Sequence, residues 1–148
     1  MEEIRDPVKK NLSRLQKYCA RQDRSVQKIR EKLYEITELS SREKAWIIAR
    51  LEEDLFLDDE RFAHTYVRSK VNQNKWGRQK IRQGLMRHRI AEKTIEESMR
   101  GIDESRYNKN LKDLLKTKRG QTQDHEKWIR YLLQRGYDYE EVFEAVNK

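Results

Sequence analysis

Apolar residues recur along this chain at steps of three and four, the period of an amphipathic helix, from one end to the other. Val8, Leu12, Leu15 and Cys19 form the first such stripe, and Pro7 suits its first turn. Asp23 or Ser25 is placed to cap a second helix with Val26, Ile29 and Leu33 inward. Ser40 and Glu43 have capping-box spacing and open a third helix carrying Trp46, Ile47 and Leu51. Phe56 and Leu57 bracket the next turn. Asp58 and Asp59 suit the positive end of a fourth helix bearing Phe62, Tyr66 and Val67.

A polar break, Asn72 to Lys75, precedes Trp76 and Gly77. A fifth helix then runs to about His88 with Ile81 and Leu85 inward, and Ile90 starts a sixth carrying Ile95 and Met99. Asp103 begins a seventh with Tyr107, Leu111, Leu114 and Leu115, which Gly120 and Gln121 interrupt. Thr122 or Asp124 caps an eighth with Trp128, Tyr131 and Leu132, and Gly136 is its expected C-terminal stop. Asp138 and Glu141 repeat the box-like start, and Val142, Phe143 and Val146 line the ninth.

These nine helices group by threes. Ile29/Leu33, Ile81/Leu85 and Trp128/Leu132 match as second-helix anchors, 52 and then 47 residues apart. Leu85 to Ile90 and Leu132 to Tyr137 are both five residues, and Ile95 and Val142 then match at a common offset. The reading is an all-α chain of three tandem three-helix repeats, 1–57, 58–102 and 103–148, stacked into an elongated, curved array. A single irregular nine-helix bundle is the competing arrangement.

Composition adds a constraint. In 148 residues, 35% are hydrophobic and 41% charged, too little apolar content for one thick core but enough for thin helical layers. Thirteen aromatic residues and regular apolar spacing argue against disorder. The one cysteine, Cys19, sits in an apolar stripe, is expected to be buried, and has no intramolecular disulfide partner. With no long apolar run, the expectation is a cytoplasmic, monomeric protein that does not engage membrane.

Charge is distributed unevenly. Residues 1–60 carry net −1, residues 61–100 net +8 and residues 101–148 net +1. From Arg61 to Ala91 there are nine basic residues and no acid. A solvated surface ordinarily interleaves acids, as the flanking thirds do, so this segment reads as a surface for a polyanion or an acidic partner. On a helical wheel, Arg78, Arg82 and Arg89 form one ridge beside the Ile81–Leu85 stripe. Lys80 and Arg87 lie on the opposite face. Arg68, Lys70 and Lys75 precede them. Trp76 is assigned to packing ahead of base stacking, and Trp46 and Trp128 to the core.

No catalytic chemistry stands out. His64, His88 and His125 lie on different helices without metal-ligand spacing, and no phosphate-binding loop occurs. No cofactor is expected. Asp54, Asp58, Asp59 and Glu60 read as helix capping and a solvated turn ahead of a metal site. A helix-turn-helix competes, but the basic helix has few Asn, Ser or Thr base readers, which favours backbone contact.

Phe56-Leu-Asp-Asp-Glu-Arg-Phe-Ala63, Tyr66-Val-Arg68, Trp76-Gly77, Ile81-Arg82-Gln83 and Leu85 closely resemble the core signature of the RecX family, bacterial regulators of RecA recombinase. The match is best over residues 55–100. The resemblance implies three three-helix repeats and a non-enzymatic regulator acting in DNA repair, recombination and the SOS response. Such a protein binds RecA filaments on single-stranded DNA, inhibits RecA ATPase and strand exchange, and binds single-stranded and also double-stranded DNA. Arg78, Arg82 and Arg89, then Lys70, Lys75, Lys80, Arg87 and Arg68, are the expected contacts. The alternative is a generic DNA-binding helical module acting without RecA. Two positions depart from the family pattern. Arg78 stands where a proline often follows the glycine, and Gly84 where a carboxylate is usual.

Overall fold

The computed structural model describes residues 3–148. Among them are nine α-helices and no strand: α1 (Asp6–Arg21), α2 (Val26–Tyr34), α3 (Ser41–Glu53), α4 (Asp59–Asn72), α5 (Arg78–Arg87), α6 (Glu92–Arg100), α7 (Glu104–Gln121), α8 (His125–Gln134) and α9 (Tyr139–Val146). The anchor positions matched by spacing are all buried: Ile29 and Leu33, Ile81 and Leu85, Trp128 and Leu132, then Ile90 and Tyr137, Ile95 and Val142. The positions that the sequence offsets pair are therefore all core positions.

The chain divides into two compact units. One comprises the residues up to Phe62 together with His88–Ile90; the other comprises Ala63–Arg87 and Ala91–Lys148. The division falls inside α4.

In the first unit α3 packs on both α1 and α2. Their stripes meet in a core of Val8, Leu15, Ile29, Leu33, Ile47, Leu51 and Leu57. Each fully buried aliphatic side chain contributes about 1.5–3 kcal/mol relative to exposure. Cys19 belongs to this core, and burial raises its thiol pKa, leaving it a packing residue. Ser25 caps α2 by accepting from Lys28 N, and Ser40 and Glu43 form the reciprocal box on α3. Asp58 caps α4 through Glu60 N and Arg61 N, at 3.0 and 3.1 Å. Asp59 does something else: its Oδ1 accepts from Val26 N at 2.9 Å, tying the start of α4 to the start of α2. The Ser25 Oγ and His88 Nδ1 lie 2.6 Å apart, and the His88 ring packs on Phe62 at 4.8 Å.

In the second unit α5 packs on α6, and α7, α8 and α9 pack on one another. Asp103, Asp124 and Asp138 cap α7, α8 and α9, the last with a full capping box to Glu141. Asn110, buried on α7, donates to Val71 O at 2.8 Å. Trp128 donates its indole N–H to Thr122 O at 2.8 Å.

The structure corrects several expectations. Trp46 is 37% exposed and Phe143 48% exposed, so neither is core. Helix α7 continues through Gly120 and Gln121, because a helical Gly costs only about 1 kcal/mol and the helix is anchored by its inward leucines. Helix α5 stops at Arg87, and α6 begins at Glu92 rather than Ile90, with Ala91 at its N-cap.

Candidate nucleic-acid interface

The acid-free segment comprises most of α4, the turn after it and α5. The turn is held firmly, although its sequence reads as a polar break. Gly77 N donates to Arg135 O at 2.8 Å, and Gln79 N to Gly136 O at 2.9 Å. Tyr137 Oη donates to Lys75 O at 2.9 Å, and Arg135 donates to Asn74 O. The α8–α9 turn thus binds the α4–α5 turn backbone to backbone. Lys75 takes a left-handed φ of 54° within it. Gly136 reverses the chain after α8 with φ 100°, where its own Cβ would have met Lys80.

The structure sorts the eight predicted contact residues. Arg78, placed first by the wheel, is engaged by two acids, exposed Glu104 and half-buried Glu141. Its guanidinium pairs with Glu104 and, at 3.1 Å, with Glu141, and lies 4.1 Å from the Tyr107 ring centroid. Its backbone N–H donates to the Tyr107 hydroxyl at 3.0 Å. A proline at this position has no N–H to give, so the departure from the family pattern comes with a bond only a non-proline makes. Burial raises the pKa of Tyr107, keeping its hydroxyl protonated to donate to Glu141 Oε2 at 3.2 Å.

Arg82 pairs with Glu96 of α6, and that hydrogen bond holds the Glu96 carboxyl below the usual range. Arg89 is not on the α5 ridge at all. It lies beyond the helix end in a left-handed conformation, φ 54°, and belongs to the first unit. Of the predicted Arg78–Arg82–Arg89 ridge, Arg78 and Arg82 are on α5 and ion-paired, while Arg89 lies past the end of α5, where the helical wheel no longer applies.

The other five lie in the second unit, and none has a carboxylate within ion-pairing distance among the described residues. Arg68 and Arg87 are exposed. Lys70, Lys75 and Lys80 are half-buried along their stems. Trp76 organises two of them: the Lys70 and Lys80 ammonium groups each lie 4.6 Å from its ring centroid. The Tyr66 ring meets Trp76 edge-on at 6.4 Å, and Lys70 also lies 5.2 Å from the Tyr66 ring. Trp76 is thus neither a plain core plug nor an open stacking platform; it is a holder for cations. Sequence spacing does not show this, because it needs the Lys70–Trp76–Lys80 geometry of the turn.

Gly84 is buried, and a Cβ there would overlap the Tyr66 hydroxyl. Burial raises the pKa of that Tyr66 phenol. The surface gains no negative charge. Among the described residues no cluster of three or more His, Cys, Asp or Glu is placed to hold a metal ion, and no helix is long and apolar enough to cross a membrane.

Residues 58–99 match the family model for RecX, second three-helix domain. The regulatory protein RecX of Clostridium tetani (strain Massachusetts / E88) is 31% identical over 110 residues, covering 69% of this chain and 50% of that protein. Regulatory protein RecX of Clostridium botulinum (strain Alaska E43 / Type E3) is 31% identical over 106 residues, covering 66% and 49%. The chain spans about half the length of these curated relatives. A crystal structure of regulatory protein RecX superposes with a TM-score of 0.80 at 26% identity, covering 96% of this chain and 72% of that one. That of RecX from Lactobacillus salivarius superposes with a TM-score of 0.79, covering 96% of both; at 18% identity it speaks to the fold alone.

Proposed function

Because the chain belongs to the RecX family, we propose that it binds RecA filaments on single-stranded DNA and inhibits RecA ATPase and strand exchange. Its action is that of a cytoplasmic, non-enzymatic regulator. The observation that carries this reading is the set Arg68, Lys70, Lys75, Lys80 and Arg87. These five cations sit within the span matched to the second RecX domain and lack acidic partners among the described residues. Unpaired cations keep their full charge for phosphates or for an acidic filament surface. Arg78 and Arg82 serve instead to join α5 to its neighbours. The three helix triplets, 1–57, 58–102 and 103–148, act as the repeating modules of a monomer.

The test is RecA ATPase on single-stranded DNA, titrated with this protein at several DNA excesses. Inhibition that persists when DNA is in excess supports RecA binding, and Lys80→Glu/Arg87→Glu relieves it while leaving helical content intact. Inhibition that disappears with added DNA points to the alternative, a DNA-binding module that competes for the strand. Unchanged inhibition by the folded double variant removes the site assignment.

A further inference from the structure

Averaged over residues 101–148, charge nearly cancels, at net +1. The structure shows that it is segregated. Helix α7 carries six basic and two acidic side chains, whereas α9 with its cap carries four acids and no base. Lys109, Lys112 and Lys116, all exposed, follow one another at three- and four-residue steps on α7. That ridge lies opposite the buried Tyr107, Leu111 and Leu114.

Like charges at these spacings repel and weaken a helix. A helix that is merely solvated relieves this with acids at i±3 and i±4, and α7 offers the ridge only Asp113. None of the three lysines forms an ion pair among the described residues, although α9 of the same unit is acidic. Two of those α9 acids, Glu141 and Glu144, line a groove of about 500 Å³ with Lys112 and Arg119. Lys109 and Lys116 are not part of that lining. Arg119 is occupied, donating to Val146 O at 3.1 Å with its guanidinium 5.0 Å from the Trp128 ring centroid. From Lys109 to Lys116 the axial rise is about 10 Å at 1.5 Å per residue, which spans roughly three nucleotides of one duplex strand.

We infer that the Lys109–Lys112–Lys116 ridge of α7 is a second nucleic-acid contact, holding phosphodiester groups without reading bases. It is separate in sequence from the α4–α5 cations. It rests on the reading that this protein engages nucleic acid, and extends it to a surface that the charge of the whole segment conceals.

The experiment measures binding of the full chain to fluorescently labelled single-stranded and duplex oligonucleotides across a salt series. Five proteins are compared: wild type, Lys109→Gln/Lys112→Gln/Lys116→Gln, Lys109→Arg/Lys112→Arg/Lys116→Arg, Lys80→Gln/Arg87→Gln, and Lys9→Gln/Lys10→Gln/Arg14→Gln as an equal charge change on exposed α1. The α7 triple variant is expected to reduce the slope of log affinity against log salt by about 2 on single strands, at about 0.7 per phosphate lost. Its affinity at low salt falls at least tenfold, the α1 triple variant stays near wild type, and Lys→Arg at all three α7 sites restores binding. If the α7 and α1 variants behave alike on both DNA forms while Lys80→Gln/Arg87→Gln weakens binding, the α7 inference fails and the α4–α5 site stands. If wild type shows no salt-dependent binding to either form, the α7 ridge and the DNA part of the proposed function fall together.

Discussion

Gly77 and Gly136 meet backbone against backbone. A Cβ on Gly77 would overlap the Gly136 carbonyl group and the Tyr137 nitrogen, and a Cβ on Gly136 would crowd Lys80. Two hydrogen bonds, Gly77 N to Arg135 O and Gln79 N to Gly136 O, fasten the contact. The obstruction at Gly77 is backbone, which cannot rotate aside as a side chain can. Gly77→Ala is therefore expected to cost about 1–3 kcal/mol, as overpacking does. Urea denaturation followed by circular dichroism reads it as a lower midpoint with an unchanged native spectrum. A midpoint equal to wild type shows that the turns separate easily.

At Gly84 the obstruction is a side chain, and the outcome should differ. Mid-helix Gly→Ala normally stabilises by about 1 kcal/mol. Here the new methyl meets the Tyr66 hydroxyl, with the ring carbon behind it at 2.8 Å. Gly84→Ala is expected to destabilise wild type and to be tolerated better in a Tyr66→Phe background. The double-mutant cycle should give a coupling above about 0.5 kcal/mol, the level expected for residues in contact. Additive effects would mean that Tyr66 swings clear without cost.

The helices were legible in the sequence because burial follows a period of 3.6 and caps follow from local spacing: Ser40–Glu43 and Asp138–Glu141 form the boxes their spacing announces. What was not legible depends on contacts distant in the chain. Trp46 and Trp128 look alike in their stripes, yet only Trp128 finds an acceptor, Thr122 O, and a covering neighbour. The helical wheel placed Arg78 on a ridge beside the core stripe and left it a free contact because it knows nothing of Glu104 and Glu141, which lie 26 and 63 residues on. It extended α5 to Arg89 because periodicity does not mark the left-handed residue that ends the helix. The Lys109–Lys112–Lys116 spacing was visible in principle, but a charge balance taken over the whole last third cancelled it against α9.

Arg78 and Lys80 are two residues apart, and their substitutions should separate structure from contact. Arg78→Met keeps the aliphatic stem but leaves Glu141 half-buried without its cation and the Tyr107 ring without its guanidinium. A loss of about 1.5–3 kcal/mol is expected, the range for hydrogen bonds to charged groups. Lys80→Met loses one contact to Trp76, about 0.5–1 kcal/mol for a cation at an exposed ring. Thermal melts give the stability order, and oligonucleotide binding is expected to give the reverse order. If Arg78→Met weakens binding more than Lys80→Met while leaving the melting temperature alone, Arg78 is a contact residue after all.

The Arg5–Glu43 pair sets a pH dependence whose sign is fixed. Glu43 accepts from Arg5 Nε and Nη2, both at 2.7 Å, and from Ser40 N at 2.9 Å. The Arg5 hydrogen bonds, then the Ser40 N–H, lower its pKa to about 2. The carboxyl in the unfolded chain titrates near the ordinary value of about 4.3. A lowered native pKa means that the unfolded state takes up the proton first. The stabilisation is therefore complete above about pH 4.3 and drains away as pH falls toward 2. Glu43→Gln keeps the shape and part of the cap but has no charge to lose. The difference in melting temperature between wild type and Glu43→Gln should be constant from pH 7 to about 5, narrow below pH 4 and close near pH 2. High salt should shrink it at pH 7, since both side chains reach solvent. A gap that persists unchanged at pH 2 would place the contribution of Glu43 in its shape and the α3 cap, not in its charge.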